Sequence, residues 1–162
     1  MAKPTNTLSP EAVQLLQGQT VVILNLADKA NDRIYTSALS WVYGIDEKTI
    51  RFAVDHKSEI IEIIENDPRL KLTFFGLESV YTISGQAVVK VRKTEGLTLK
   101  LAIIEVNVEE VRDIIFYGGK IVANPAFEKT YAQDLIVKLD NEVKGAIFNL
   151  YFDVSIILYS NE

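Results

Sequence analysis

The stretch Thr49-Ile50-Arg51-Phe52-Ala53-Val54-Asp55-His56-Lys57-Ser58-Glu59-Ile60-Ile61-Glu62-Ile63-Ile64-Glu65 decides how this chain is read. Its first six residues are strand-like, rich in β-branched and aromatic side chains. Its last six are helix-like, with Ile60, Ile61, Ile63 and Ile64 crowded into two turns. Between them lies a strand-to-helix turn, Asp55-His56-Lys57-Ser58-Glu59, that carries a lysine and a hydroxyl. The first turn of a helix has N–H groups without intrahelical partners and a partial positive charge, so such a turn can hold a phosphate. Lys57 would add a full charge and Ser58 a donor. The same residues equally suit a plain helix start, in which Asp55 or Ser58 caps the helix and Lys57 is solvated. The helix, from about Ser58 to Asn66, ends at Asp67-Pro68, because the residue before a proline avoids helical angles.

On the N-terminal side, Ser9-Pro10-Glu11 reads as an N-cap, a proline at the first helical position and an acid in the first turn; Ala12, Val13, Leu15 and Leu16 supply an apolar face that Gly18 ends. A strand over Thr20–Leu26 then runs into the turn-rich Ala27–Asp32. Arg33–Ile45 forms a second strand, and Asp46-Glu47 is a hairpin connection to the strand Thr49–Val54. On the C-terminal side, Arg69–Phe75, Ser79–Val91 and Leu99–Phe116 are three more strands. In the second of these, Tyr81, Ile83, Gly85, Ala87, Val89 and Val91 share the core face, and Gly85 marks a bulge, a bend or a close backbone neighbour. In the third, Ile104, Val106 and Val108 are dry and Glu105, Asn107 and Glu109 wet; the phase slips at Glu109-Glu110, where a bulge would restore Val111 to the core. A last helix covers about Lys129–Ala146, after the breaks at Gly118-Gly119 and Asn124-Pro125. Six strands, flanking helices and no βαβ alternation predict a mainly β fold, a closed six-stranded antiparallel barrel, because closure removes exposed edges.

The 162 residues suit one domain spanning 1–162, with a core over about 9–122, and 48% hydrophobic residues can fill it. A net charge of −5 argues against a general nucleic-acid surface, which needs a basic stripe. The absence of cysteine removes disulfides, thiolate metal ligands and thiol nucleophiles and permits a reducing cytoplasm, the expected location. A single histidine excludes a His-rich zinc site, so no metal is expected. No signal-like segment opens the chain. Its longest apolar tail run, Val154–Tyr159, is far shorter than the roughly 20 residues of a membrane span.

The order of these elements resembles the FMN-binding split barrels related to pyridoxamine 5′-phosphate oxidase, over roughly Ser9–Val122. The residues that carry the likeness are Thr36-Ser37-Ala38-Leu39-Ser40-Trp41, Ile50-Arg51-Phe52-Ala53-Val54, His56-Lys57-Ser58, Asn66-Asp67-Pro68-Arg69 and Ile83-Ser84-Gly85-Gln86-Ala87. The shorter flavin-binding members look closest. The resemblance implies that Lys57 and Ser58 hold the FMN phosphate, with His56 a weaker candidate. It implies too that the flavin ring lies along the second strand at Thr36, Ser37 and Ala38, where hydroxyls and backbone amides address its polar edge. Small side chains at Ser37-Ala38, between Tyr35 and Trp41, agree with that local chemistry. The resemblance further implies a homodimer with the cofactor at the subunit interface. Trp41 is read as core or interface packing, and Arg33 and Arg51 as partners of nearby acids.

One departure bears on substrate. Pyridoxamine phosphate oxidases end in a basic and aromatic segment that binds pyridoxal, whereas this chain ends in 147–162, apolar and carrying Asp153 as its only charge before Glu162. That speaks against vitamin B6 oxidation, and the tail is expected to pair as a strand or pack at an interface. The function expected is that of a flavin-dependent oxidoreductase exchanging electrons with a small-molecule donor or acceptor. The alternatives are a non-catalytic flavin-binding or sensory dimer, or a barrel that has lost its cofactor; haem or deazaflavin are alternative planar ligands.

Overall fold

In the computed structural model, which describes residues 3–150, one antiparallel sheet organises the chain. Helix α1 (Pro10–Leu15) begins as its cap residue predicts: Ser9 Oγ accepts the Ala12 N–H at 3.1 Å. The strands are β1 (Val22–Asp28), β2 (Arg33–Leu39), β3 (Val42–Gly44), β4 (Thr49–Asp55), β5 (Arg69–Gly76), β6 (Ser79–Val91) and β7 (Leu101–Asp113). Helix α2 (Ile60–Asn66) connects β4 to β5, and α3 (Gln133–Phe148) follows β7. The order across the sheet is β2-β1-β5-β6-β7-β4-β3.

Among the described residues there are seven strands where six were expected, because Arg33–Ile45 is two strands and not one. At Ser40-Trp41 the chain leaves one end of the sheet and joins the other: Leu39 pairs with Val22, whereas Val42 pairs with Phe52. Two residues thus link the end strands, which forces the sheet to curl. The closure is covalent rather than hydrogen-bonded. No ladder joins β2 to β3 among the described residues, so the sheet is a curled half-barrel and not the fully closed barrel expected.

The main core fills the inside of the curl. Leu24, Ile50, Phe52, Leu72, Phe74, Ile83, Ile104, Val106 and the α2 isoleucines pack there with Leu8, Ala12 and Leu16 from the leading segment. Helix α2 is buried around much of its circumference, as its isoleucine content predicts. A second, smaller core lies on the outer face of β3, β4 and β7, where Tyr43, Ala53, Leu101 and Ile103 meet Val143, Ile147 and Leu150. Burial and the neighbouring Asp140 carboxylate push the Tyr43 hydroxyl up to about 12.

The two irregularities read from the sequence are present. Ser84 pairs with Glu110 but Gly85 with Val108, so Glu109 is the extra residue of a bulge, and Val111 returns to the core. A Cβ on Gly85 would collide with the Asn107 carbonyl oxygen, which explains the glycine. Helix α3 begins four residues later than the sequence suggests and runs to Phe148, taking the first two residues of the segment read as tail. The expectation for the rest of the tail falls on 151–162, outside the described residues.

Candidate functional site

β2 is an end strand, and its chemistry follows from that position. It pairs only with β1, in the register Val22↔Leu39 to Asp28↔Arg33, and its other edge has no backbone partner among the described residues. In an antiparallel pair alternate backbone groups point away from the partner strand, so β2 presents unpaired N–H and C=O groups along its length. The opposite end of the sheet is different. There Gly44 N–H bonds the Leu16 carbonyl at 2.7 Å and Gly18 N–H bonds the Val42 carbonyl at 3.1 Å, so the leading segment covers β3.

Side chains alternate along β2. Ile34, Thr36 and Ala38 face outward and are exposed, whereas Tyr35, Ser37 and Leu39 are half-buried on the inner side. The sequence placed Thr36, Ser37 and Ala38 together; the structure groups Thr36 with Ala38 and turns Ser37 inward. Thr36 O–H donates to Asn25 Oδ1 at 2.7 Å, its cross-strand neighbour. Asn25, which holds the candidate residue Thr36, was passed over in sequence reasoning, although an amide within the apolar run Val22–Ala27 was a visible signal.

The turn after β4 starts α2 in the plain way. Asp55 Oδ1 accepts the Lys57 N–H at 2.8 Å and Ser58 Oγ accepts the Ile60 N–H at 3.2 Å. That employs the Ser58 oxygen as an acceptor and leaves its O–H to donate elsewhere. Lys57 is exposed and in no ion pair among the described residues.

His56 is differently placed. Its backbone N–H and its ring Nδ1 both meet the Lys100 carbonyl, at 3.2 and 3.1 Å. A carbonyl only accepts, so Nδ1 carries the proton, and the neutral ring offers Nε2 as an acceptor alone. A neutral His56 therefore cannot donate to an anion. The same two bonds carry Lys100, exposed and in no ion pair among the described residues, to the edge of the turn. Nothing local marked Lys100; only the pairing Asp55↔Leu101 brings it there.

Arg33 joins β2 to this turn. Its Nη2 donates to Glu59 Oε1 at 3.0 Å, and its Nε donates to Asp28 Oδ2 at 2.8 Å. The Arg33 guanidinium, then the Asn31 amide, hold the Asp28 carboxyl below its ordinary value. Arg51 also pairs with an acid as read, Glu105 directly across on β7 at 3.0 Å, but α3 covers it and its Nη1 donates to the Ile147 carbonyl at 2.7 Å. Trp41 packs into the second core, as its size suggested.

No protein-family model matches the chain, and no curated protein matches it. Solved structures do. A Lactobacillus delbrueckii protein provisionally named as a pyridoxamine 5′-phosphate oxidase aligns over 67% of this chain and 95% of its own, with a TM-score of 0.55 at 17% identity. The fold is the split barrel of the pyridoxamine 5′-phosphate oxidase-like proteins. The HupZ protein of Group A Streptococcus shares it over 72% of this chain and 100% of its own, with a TM-score of 0.55 at 14% identity. A Listeria innocua protein, also provisionally named as a pyridoxamine 5′-phosphate oxidase, shares it at a TM-score of 0.50 and 12% identity over 64% of this chain and 95% of its own. About a third of this split barrel therefore has no counterpart in neighbours that are themselves almost fully covered. No helix of the described residues is long and apolar enough to cross a membrane.

Proposed function

We propose that this split barrel binds FMN along β2 and against the 55–59 turn, in a homodimer with the flavin between copies, and acts as a flavin-dependent oxidoreductase on a small molecule not yet assigned. The observation that carries the reading is the edge of β2, unpaired among the described residues, whose outward side chains at Thr36 and Ala38 are small and whose first residue, Arg33, is tied to the Lys57 turn through Glu59. A planar ring with a polar rim needs backbone donors and acceptors that no neighbouring strand uses, beside side chains that leave it room.

Lys57 and Ser58 suit the phosphate end of the group, and Thr36 suits the ring end. Lys57 would supply charge to the phosphate and the Ser58 O–H a hydrogen bond, while Thr36 and the β2 backbone would orient the ring. Bound flavin would supply the electron chemistry. The protein's part is to hold and orient; no described side chain is needed as a nucleophile.

Titration with FMN, followed by flavin fluorescence, tests the reading. Saturable uptake is expected, and Lys57→Ala with Ser58→Ala should weaken it at least tenfold, equivalent to about 1.4 kcal/mol. Riboflavin, which lacks the phosphate, should bind wild type and double variant alike. Absence of FMN uptake by the wild type removes the proposal; equal FMN affinity of the two proteins removes the phosphate assignment. The alternative reading is flavin binding without turnover. Reduction of the bound flavin by NADH or NADPH, then reoxidation by an added acceptor, separates the two.

A further inference from the structure

Residues 114–132 carry no regular secondary structure, and an irregular segment of that length in a compact fold usually has a task of its own. Its first part holds large apolar side chains in water: Phe116 is 77% exposed, Val122 91% and Tyr117 99%. Two backbone bonds fix them there. Gly119 N–H bonds the Phe116 carbonyl at 3.0 Å with Gly118 at φ +83°, so Tyr117 stands at the corner of a hydrogen-bonded turn. Ile121 N–H bonds the Glu78 carbonyl at 3.0 Å, and a cleft of about 430 Å³ opens between Leu77-Glu78 and residues 120–124. Among the described residues the N–H groups of Phe116, Tyr117, Lys120 and Val122 meet no backbone carbonyl, so the patch combines apolar surface with unused donors.

Helix α3 runs toward the end of the sheet where this patch lies. Early in the helix Glu142 meets Thr98, just ahead of the first residue of β7, and later the Ile147 carbonyl meets Arg51, which stands across from Glu105 further along β7. The helix therefore follows β7 in the direction of Asp113, and residues 114–124 start where β7 stops. From the level of Glu105 to Asp113 is roughly 27 Å at about 3.4 Å per residue. The chain beyond Leu150 is Tyr151-Phe152-Asp153-Val154-Ser155-Ile156-Ile157-Leu158-Tyr159-Ser160-Asn161-Glu162, and twelve extended residues reach up to roughly 40 Å. Phe152, Val154, Ile156 and Leu158 recur with the period of a strand, so an extended segment turns all four to one side. Tyr151, Asp153, Ser155 and Tyr159 fall on the other.

We propose that residues 151–162 lie extended across this patch of their own chain, with Phe152, Val154, Ile156 and Leu158 against Phe116, Tyr117, Val122 and the cleft beside Leu77, and with tail carbonyls accepting the unused N–H groups. Each half accounts for the other. An apolar run of high β propensity with Asp153 as its only charge before Glu162 needs cover, and so do three large side chains held in water. The contact is intramolecular, with Leu150 anchored in the second core, so an effective concentration in the millimolar range lets a modest area suffice. The proposal goes beyond the flavin reading and depends on no part of it.

A spin label on Asn161→Cys, the only thiol in an otherwise cysteine-free full chain, tests it. Amide resonances of 114–124 should lose at least half their intensity, whereas those of 56–58, beside the opposite end of β7, should keep theirs. Isotope-enriched chain without the label, mixed with labelled chain, should show no loss, because the contact is within one molecule. Ile156→Asp in the labelled chain and, separately, Tyr117→Asp should each restore most of the lost intensity. The far-ultraviolet circular dichroism of Tyr117→Asp should not change, because Tyr117 belongs to neither core. In hydrogen exchange the Phe116, Tyr117, Lys120 and Val122 N–H groups should be at least tenfold slower in the wild type than in Ile156→Asp. Undiminished signals at 114–124, losses centred on 33–39, losses only in the mixed sample, or variants that change neither readout overturn the proposal; the second would seat the tail on the edge of β2 and the third on another copy. Flavin titrations are separate, so either proposal can fail without the other.

Discussion

Asp67 is nearly inaccessible, at 2% exposure, yet remains charged because four donor groups surround it. Arg69 grips it with Nε at 3.0 Å and Nη2 at 2.7 Å, the Arg69 N–H adds a bond of 3.1 Å, and Lys29 Nζ lies 3.4 Å away. The Arg69 side chain, then its N–H, hold the carboxyl far below the ordinary carboxylate value against the opposing cost of burial. A depressed folded-state value means that the contribution is complete above the unfolded value of about 3.9 and fades as pH falls toward the folded one. Asp67→Asn should therefore be less stable than wild type at pH 7, with the difference narrowing below about pH 4; urea midpoints that stay equally separated down to pH 2.5 would contradict this. The motif Asn66-Asp67-Pro68-Arg69 was visible in sequence, but Lys29 was not, since only the β1–β5 register brings the end of β1 beside it. The same limit hid Lys100: single residues become legible when their partners are local, as with Ser9 and Ala12, and stay hidden when only strand register joins them.

Among the elements, α3 shows how a helix is attached to a sheet's outer face. Leu139, Val143 and Ile147 form its buried stripe. Three polar ties fix its position: Trp41 Nε1 donates to Asp140 Oδ1 at 2.9 Å, the Thr98 N–H donates to Glu142 Oε2 at 3.1 Å, and Arg51 bonds the Ile147 carbonyl. Lys129 completes the first tie, paired with Asp140 and 4.9 Å above the Trp41 ring. Burial would raise the Asp140 carboxyl, but the bonds from Lys129 and Trp41 outweigh it and hold the value low. Trp41 is the only tryptophan, so its emission reports this attachment alone. Ile147→Ala should cost about 2–5 kcal/mol, since the side chain is fully buried. It should also bring the tryptophan transition to lower urea than the far-ultraviolet circular dichroism transition, because the main core lies on the other face of β4 and β7. Coincident transitions in the variant would show that both cores unfold as one. The helix itself was legible from its pattern of apolar residues; where it docks was not, because Trp41 and Asp140 lie 99 residues apart. The strands β6 and β7, with their bulge, were legible because alternation is a local signal. The break that separates β2 from β3 was not, since Ser40-Trp41 contains neither glycine nor proline and Trp41 packs against a second core built from residues distant in sequence.

At the scale of the whole molecule the decisive fact is that, among the described residues, the curled sheet stops at β2. A seven-residue edge with Arg33 as its only charge and no proline is an invitation to pairing, and natural folds rarely leave such an edge bare. The opposite end is sealed by Gln17 and Gly18, so the asymmetry belongs to this edge and not to the sheet as a whole. If a planar cofactor satisfies the edge, binding should be legible in hydrogen exchange. N–H groups of 33–39 that point away from β1 should exchange quickly in the cofactor-free protein, while those of β6 and β7, paired on both sides, should be slow. Adding FMN should slow exchange in 33–39 and 56–58 together. The measurement also separates a ligand from a strand. Protection of 33–39 that rises with protein concentration and ignores FMN would mean that a second chain, rather than a flavin, completes the sheet. Protection of 56–58 without 33–39 would leave a phosphate site at Lys57 and Ser58 but remove the ring from β2. Only joint protection at both places fits one ligand that spans from the strand to the turn.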